Sequence, residues 1–358
     1  MSGRSTSTNL AVFNKYCISC FEKGNQIDAI YTDFAKAFDR VPHNLLLLKL
    51  SKIGFHSQML SWFRYYLIGR YSVVSVDGFC SALYIPITGI PQGSIIGPLL
   101  FILYINDISN CFHNSKYLLY ADDLKIYKEI SSPNNISDLS KDLQRVVRWS
   151  EYNGLPFNTN KCYVMTYHRC RHVLLSKYSI NGVILSSIDE ILDLGVVCDT
   201  KLTFCSHLNY IITKAWSVFG FIRRLSDKSF DHYTRKILFV SFVRSKLEYA
   251  SVIWNPSALV HSNRIERIQI KFIKYDLAFL NFTNFPAATY SGKCALLSLK
   301  TLEARRKIAS LNFLYNIVSG NIDCSDLLQS IKILVPQRFL RSRNIFFFIL
   351  ICIEITLH

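Results

Sequence analysis

Residues 117–127 read YLLYADDLKIY. Two short apolar runs flank the adjacent aspartates Asp122 and Asp123, a pattern that predicts a β-hairpin with carboxylates at its turn. Upstream, residues 27–31 read IDAIY. This mostly apolar run predicts a largely buried strand that delivers Asp33 at its end. A carboxylate at the end of a buried strand is costly unless a cation or hydrogen bonds meet it. Three converging carboxylates would repel one another and raise their pKa values. A pair of divalent ions would resolve that repulsion. Mg²⁺ takes oxygen ligands, usually one or two carboxylates plus substrate phosphates. Two such ions about 4 Å apart can activate an attacking hydroxyl and stabilise a leaving pyrophosphate. The sequence supplies three carboxylates in suitable local settings but does not itself bring them together. An isolated Asp-Asp pair is uninformative. YADD with an upstream strand-end aspartate and an intervening Pro91-Gln92-Gly93 is far more specific.

The surrounding pattern is mixed. Residues 9–21 read as a partly amphipathic helix. Pro42 opens a second helix, VPHNLLLLKLSKIGF, which stops at Gly54 as a C-terminal glycine should. A third helix is expected over 58–67. Residues 71–90 read as a hairpin about Asp77-Gly78, and 95–105 as a helix with Pro98 in its first turn. Ile136, Leu139, Leu143, Val146 and Val147 have helical spacing up to Tyr152, and Gly154 and Pro156 stop the run. Segments 162–167 and 178–197 are strand-like, with Asn181-Gly182 as a turn. Beyond about residue 203 the chain reads as helices over 206–225, 231–249, 259–281 and 298–319, with a soft boundary near 200.

Composition narrows the class. The 358 residues suggest about two domains. Half are hydrophobic and only 18% are charged, which excludes a long disordered or collagen-like chain. Lys plus Arg is 41 and Asp plus Glu is 25, a net charge of +16. That favours a polyanionic partner, nucleic acid or an anionic membrane surface, without choosing between them. The start, MSGRSTSTNL, lacks the apolar core of a signal peptide. The 11 cysteines are therefore expected to be reduced inside the cell. Cys17 and Cys20 form one CxxC, and only Cys162, His168, Cys170 and His172 could complete a zinc site, which needs four well-placed ligands. Buried or surface thiols are the simpler reading. Residues 345–357, IFFFILICIEITL, make an apolar run of about 13 residues containing Glu354. A spanning helix needs about 20, so the run reads as a buried or abnormal terminus.

Four segments in this order, YTDFAKAFDRVPH, GIPQGSIIGPLLFILYINDI, YADD and NGLPFNTNKC, resemble palm motifs A to D of the reverse transcriptase of non-LTR (LINE-type, jockey-like) retrotransposons. RSTSTNL resembles the segment just before the palm. ILDLGVVCDTKLTFCSHLNYIITKA and SKLEYASVIWNP resemble segments after it, so the likeness runs over residues 4–335. It implies an α+β fold: a polymerase palm, meaning an antiparallel sheet with packed helices, a partial fingers region and a mostly helical thumb. The implied division is 1–25 fingers remnant, 26–200 palm, 201–335 thumb and C-terminal region, and 336–358 aberrant hydrophobic tail. The remnant implies N-terminal truncation, without the family's endonuclease.

The resemblance also implies roles. Asp33, Asp122 and Asp123 match the polymerase carboxylates, with the Phe34 carbonyl completing a metal's shell. The cofactor would be two Mg²⁺ ions, with Mn²⁺ as the alternative. Phe38 matches an aromatic steric gate that excludes a ribose 2′-OH; read alone, it is core packing. Gln92 and Gly93 match the motif B pair at the incoming nucleotide, and the glycine permits close backbone approach. Lys161 matches a general acid for pyrophosphate departure; read alone, it is a solvated loop lysine. Arg264, Arg267, Lys271 and Lys274 are spaced three, four and three, one positive stripe on a helix. That stripe is either a thumb surface tracking the template–primer backbone or an ordinary solvated face.

The leading expectation is an RNA-directed DNA polymerase acting on an RNA template, a DNA primer and deoxynucleoside triphosphates. No membrane is implied, and the place of action is the nucleus or a cytoplasmic ribonucleoprotein. The alternatives are an inert fragment that binds RNA or RNA–DNA hybrid through its basic surface, and an unstable translation product without a role.

Overall fold

In the computed structural model, residues 3–226, 230–280 and 289–331 are described. The tail expected over 336–358 lies outside them. The chain divides into two compact units, Cys17–Glu190 and Met1–Tyr16 with Ile191–His358. Among the described residues, no helix is long and apolar enough to cross a membrane.

In the first unit, α1 (Thr6–Glu22), which begins in the other unit, leads into β1 (Gln26–Thr32). Then come α2 (His43–Ile53), α3 (Ser57–Leu67), α4 (Gly97–Ile105), the hairpin β2 (Lys116–Tyr120) and β3 (Asp123–Ile130), α5 (Pro133–Tyr152), β4 (Tyr163–Tyr167) and β5 (Ser186–Ser187). The sheet order is β2-β3-β1-β4-β5. All pairs are antiparallel except β4 with β5. All seven residues of β1 are buried, as befits a central strand covered on both faces. Ile30, Ile126 and Val164 from the sheet share a core with Leu46 and Leu50 of α2, Phe101 and Tyr104 of α4, and Leu139 and Leu143 of α5. This is the α+β palm architecture that the motifs imply. Gly54 ends α2 at φ 103°, donating its N–H to the carbonyls of Leu50 and Ser51. Asn135 accepts from the Ser132 N–H at 3.1 Å, fixing the start of α5.

Two buried carboxylates tie the layers together. Asp28 is fully buried in β1. It accepts from Thr166 Oγ1 at 2.9 Å, Ser176 Oγ at 2.5 Å and Tyr178 OH at 2.8 Å. Burial and then the Asp28 charge push the Tyr178 phenol well up. Asp142 of α5 accepts from the N–H groups of His113, Asn114 and Ser115 at 3.2, 2.9 and 2.8 Å, and from Ser115 Oγ at 2.6 Å. Arg145 pairs with its other oxygen. Burial alone would raise this carboxyl. The Ser115 hydroxyl and the backbone N–H groups outweigh burial and hold it below its ordinary value. The loop that enters β2 is thereby pinned to α5.

The hairpin expected over 71–90 is much reduced. Only Ser75–Val76 pairs with Phe79–Cys80, with one further bridge between Ser72 and Tyr84. Phe79 is 83% exposed and Ile87 82%, so no buried face supports a longer ladder. Segment 178–197 likewise breaks into short pieces. Ser179–Ile180 pairs with Val183–Ile184 about Asn181 and Gly182, whose φ values are 50° and 79°.

The second unit is mostly helical: α6 (Cys205–Leu225), α7 (His232–Leu238), α8 (Leu259–Phe279) and α9 (Leu302–Val318). The single helix expected over 231–249 runs over His232–Glu248 with a change of winding inside it. It continues past α7 as a π-type turn over Phe239–Arg244 and a last turn, Ser245–Glu248. The helix expected from 298 begins later, because Ser298 has φ 51° and Thr301 caps the Ala304 N–H at 3.2 Å. Phe239 stacks on Phe272 at 4.0 Å, with Phe219 edge-on to both. Fully buried Asp276 is met by Arg235 at 2.8 Å and by His232.

The Asp142 network predicts a pH-dependent stability. Its folded pKa lies below its unfolded value of about 3.9. The contribution is therefore complete above that value and declines as pH falls through the lower folded pKa. Asp142→Ala should cost roughly 3 kcal/mol at neutral pH by leaving buried donors unmet. In urea melts the gap between the parent and Asp142→Asn should narrow from pH 6 to pH 3. A gap independent of pH would show that the ionised carboxylate is not what holds the loop.

Candidate active site

The register of the sheet sets the positions of the three aspartates. Thr32 of β1 lies opposite Leu124 of β3. The next residue along, Asp33, therefore stands at the strand end beside Asp123, which opens β3. Tyr120 lies opposite Asp123, so Ala121 and Asp122 form the two-residue turn, with Ala121 at φ 53°. Thr32 Oγ1 donates to the Leu124 carbonyl at 3.0 Å, locking this end of the pairing. The Asp33 carboxylate is 36% exposed, Asp122 is half-buried and Asp123 exposed. Among the described residues, His, Cys, Asp and Glu side chains nowhere gather in threes that could hold a metal ion. The fold brings the three backbone positions to one end of the sheet.

The loop after β1 is secured on one side by the loop before β4. Asn158 N–H donates to the Asp33 carbonyl and Ala35 N–H to the Pro156 carbonyl, both at 2.8 Å. This pair brackets Phe34 without using its carbonyl. Phe34 stacks on Phe157 at 4.6 Å. Buried Cys162 donates its thiol toward the Asn158 carbonyl at 3.3 Å and the Asp33 carbonyl at 3.9 Å. Burial pushes that thiol up to about 11, so it stays protonated as a donor. The same loop brings Lys161 Nζ to 3.9 Å from Asp33 Oδ2, with the lysine side chain 66% exposed.

On the other side the loop is secured by the segment leading into Gln92. Ile90 N–H donates to the Phe38 carbonyl and Gly89 N–H to the Val41 carbonyl, both at 2.8 Å. Thr88 Oγ1 donates to the Asp39 carbonyl at 2.9 Å, and His43 Nε2 to the Gly89 carbonyl at 2.8 Å. Gly89 has φ 91°, and a Cβ there would lie 2.7 Å from the Asp39 carbonyl oxygen. Only glycine permits this approach. Exposed Gln92 donates through Nε2 to Asp39 Oδ1 at 2.8 Å. Gly93, at φ 79°, has open space above it. Half-buried Phe38 stacks on Phe101 at 4.4 Å.

Asp33, Phe34, Phe38, Gln92, Gly93, Asp122, Asp123 and Lys161 thus lie in the loop after β1, in the β2–β3 turn and the start of β3, and in the two loops laced to the loop after β1. Arg264, Arg267, Lys271 and Lys274 belong to the other unit. Arg267, Lys271 and Lys274 are exposed along α8, and Arg264 is half-buried and donates to Asn209 Oδ1 at 2.7 Å. Sequence reasoning missed the lacing residues Asp39, His43 and Gly89. The available signal was polar or glycine residues next to both motifs, in FDRVPH over 38–43 and TGI over 88–90.

A sheet that sets aspartates at the ends of its central strands, flanked by loops carrying Gln92 and Lys161, is a polymerase palm. The family described as "Reverse transcriptase (RNA-dependent DNA polymerase)" matches residues 2–198, more than half of the chain, and the chain belongs to it. The chain is 26% identical over 284 residues to "Probable RNA-directed DNA polymerase from transposon BS" of Drosophila melanogaster, covering 75% of this chain and 31% of that protein. It is also 26% identical over 275 residues to "RNA-directed DNA polymerase from mobile element jockey" of Drosophila funebris, covering 72% and 29%. The chain therefore spans about a third of the length of these relatives. Among solved structures, apo telomerase from Candida tropicalis superposes with a TM-score of 0.42 at 12% identity, covering 88% of this chain and 54% of that one.

Gly89→Ala is expected to destabilise the protein by about 2 kcal/mol, through backbone strain and the clash with Asp39. Chemical denaturation would measure it. An unchanged stability would mean that the two loops do not approach as closely as described.

Proposed function

We propose that this chain is the palm and thumb portion of an RNA-directed DNA polymerase from a mobile element. In this reading it extends a DNA primer on an RNA template by two-metal nucleotidyl transfer. The observation that carries it is the sheet register, which aligns Asp33 with Asp123 and puts Asp122 in the adjoining turn. The donor set is chemically suited to Mg²⁺: three carboxylates and the Phe34 carbonyl are all hard oxygen ligands. Bound there, Mg²⁺ would lower the pKa of a primer hydroxyl and neutralise charge on a leaving pyrophosphate. Asp33 and Asp122 are the principal ligands, and Asp123 gives weaker support.

The remaining roles belong to neighbouring side chains. Stacked on Phe101, the Phe38 ring has a fixed plane whose edge would clash with a ribose 2′-OH, favouring deoxynucleotides. Lys161, 3.9 Å from Asp33, would hand a proton to the departing pyrophosphate. Gln92 and Gly93 would face the incoming nucleotide. On α8, Arg264, Arg267, Lys271 and Lys274 would neutralise backbone phosphates of the template–primer. Residues 26–200 then serve as palm and 201–335 as thumb, acting in a cytoplasmic ribonucleoprotein or in the nucleus. A second reading, nucleic-acid binding without catalysis, draws on the exposed basic side chains Arg267, Lys271 and Lys274 of α8.

Primer extension on an RNA template with Mg²⁺ and deoxynucleotides separates the two readings. Extension by the parent and none by Asp122→Asn, with unchanged hybrid affinity, supports the polymerase. Retained hybrid binding without extension by the parent supports the inert binder, and extension surviving in Asp122→Asn removes the metal assignment. Independently, replacing Arg264, Arg267, Lys271 and Lys274 by glutamine should weaken hybrid binding. It should also flatten the salt dependence by up to roughly 0.9 per lost phosphate contact, if the hybrid behaves like B-DNA. An unchanged slope would mean that this face of α8 does not meet the nucleic acid.

A further inference from the structure

We infer that Asp39 is a positioning residue that orients the Gln92 side chain for the incoming nucleotide; the inference rests on the polymerase reading above. Asp39 lies six positions beyond Asp33, in the loop that follows β1. Its side chain has one hydrogen-bonded partner among the described residues, Gln92 Nε2 at 2.8 Å. Its backbone is held independently. The Asp39 carbonyl accepts from Thr88 Oγ1 at 2.9 Å. On either side of it, Phe38 and Val41 accept from Ile90 and Gly89 N–H at 2.8 Å. The carboxylate is thus presented from a fixed platform to Gln92, which lies two residues beyond Ile90.

The chemistry of a primary amide explains what this achieves. A free glutamine presents its donor and acceptor ends interchangeably by rotating about its last bond. A carboxylate accepts only, so Asp39 can hold only the amide nitrogen. Gln92 then turns its carbonyl oxygen and one remaining N–H away from Asp39 in a single orientation. Holding that orientation before the ligand arrives removes part of the ordering cost of binding. Nothing in this role needs a negative charge. A carboxylate close to an anionic triphosphate is electrostatically unfavourable, and a neutral acceptor would serve as well.

This predicts a distinctive pattern in primer extension. Asp39→Ala should raise the KM for deoxynucleotide about three- to tenfold and leave kcat nearly unchanged. Asp39→Asn, whose amide oxygen can still accept the bond, should restore most of the lost affinity. In a Gln92→Ala background Asp39→Ala should add nothing, because its only route of action is gone. Effects that multiply in the double variant, or an Asp39→Asn as impaired as Asp39→Ala, would overturn the assignment. A parent that extends nothing overturns the polymerase reading instead. The contact is then read directly from the ¹⁵N-labelled side-chain amide signal of Gln92, identified by its loss in Gln92→Ala. Asp39→Ala should shift that signal and Asp39→Asn should largely preserve it; an unmoved signal in Asp39→Ala would overturn the contact itself.

Discussion

Everything at the candidate site depends on β1 being paired on both edges in one register. Side chains alternate faces along a strand, so a slip of one residue would exchange the two buried faces of β1 and take Asp28 off its hydroxyl donors. It would also move Asp33 away from Asp123. Burial of all seven β1 residues makes that slip prohibitively costly. The pairing Thr32 with Leu124, reinforced by Thr32 Oγ1 on the Leu124 carbonyl, then fixes which residues stand at the strand ends. The acidic positions are a consequence of hydrophobic register before they are a matter of chemistry.

The same strand carries a cost that the fold meets with neutral donors. Asp28 is as deeply buried as its apolar neighbours, yet hydroxyls from Thr166, Ser176 and Tyr178 meet it rather than a cation. Asp142 is satisfied mainly by backbone N–H groups and the Ser115 hydroxyl. A buried carboxylate left without donors would be costly. These networks tie the loops to specific points of the sheet and of α5, which non-directional apolar packing alone would not do. In the helical unit, Arg235 and His232 perform the equivalent service for Asp276.

Much of this was legible in the sequence because it rests on short-range patterns. The apolar run ending in Asp33, the YADD hairpin, the glycine stop of α2 and the periodicity of α5 all appear where local periodicity and turn chemistry put them. The failures have a common cause. The 71–90 segment has β-rich runs and a good turn, but it lacks a partner face within the described residues, and propensity alone sustains only a two-residue ladder. The late start of α9 follows from a threonine cap, and the π-type winding after Leu238 leaves its helix continuous; hydropathy periodicity registers neither. At the site, Asp39, His43 and Gly89 stood out only as polar or glycine residues beside the motifs, because their roles arise between segments some fifty residues apart. Nothing local in FDRVPH reveals that TGI will lie against it.

The site therefore has two layers with different physical characters. The groups assigned to chemistry are exposed or half-buried, and the bonds among them are few and long, as with Lys161 at 3.9 Å from Asp33. The bonds that place them are short, mostly backbone, and come from both sides of one loop: 156–158 grip residues 33–35, and 88–90 grip 38–41. Each grip is set by what a side chain cannot be. Any side chain at Gly89 would strike the Asp39 carbonyl, and an ionised thiol at Cys162 could not donate toward the Asp33 carbonyl. Rigidity is thus concentrated in the backbone around Asp33. An arrangement of this kind lets a metal or nucleotide gather side chains without moving the scaffold. Only rotation within each side chain then has to follow the ligand.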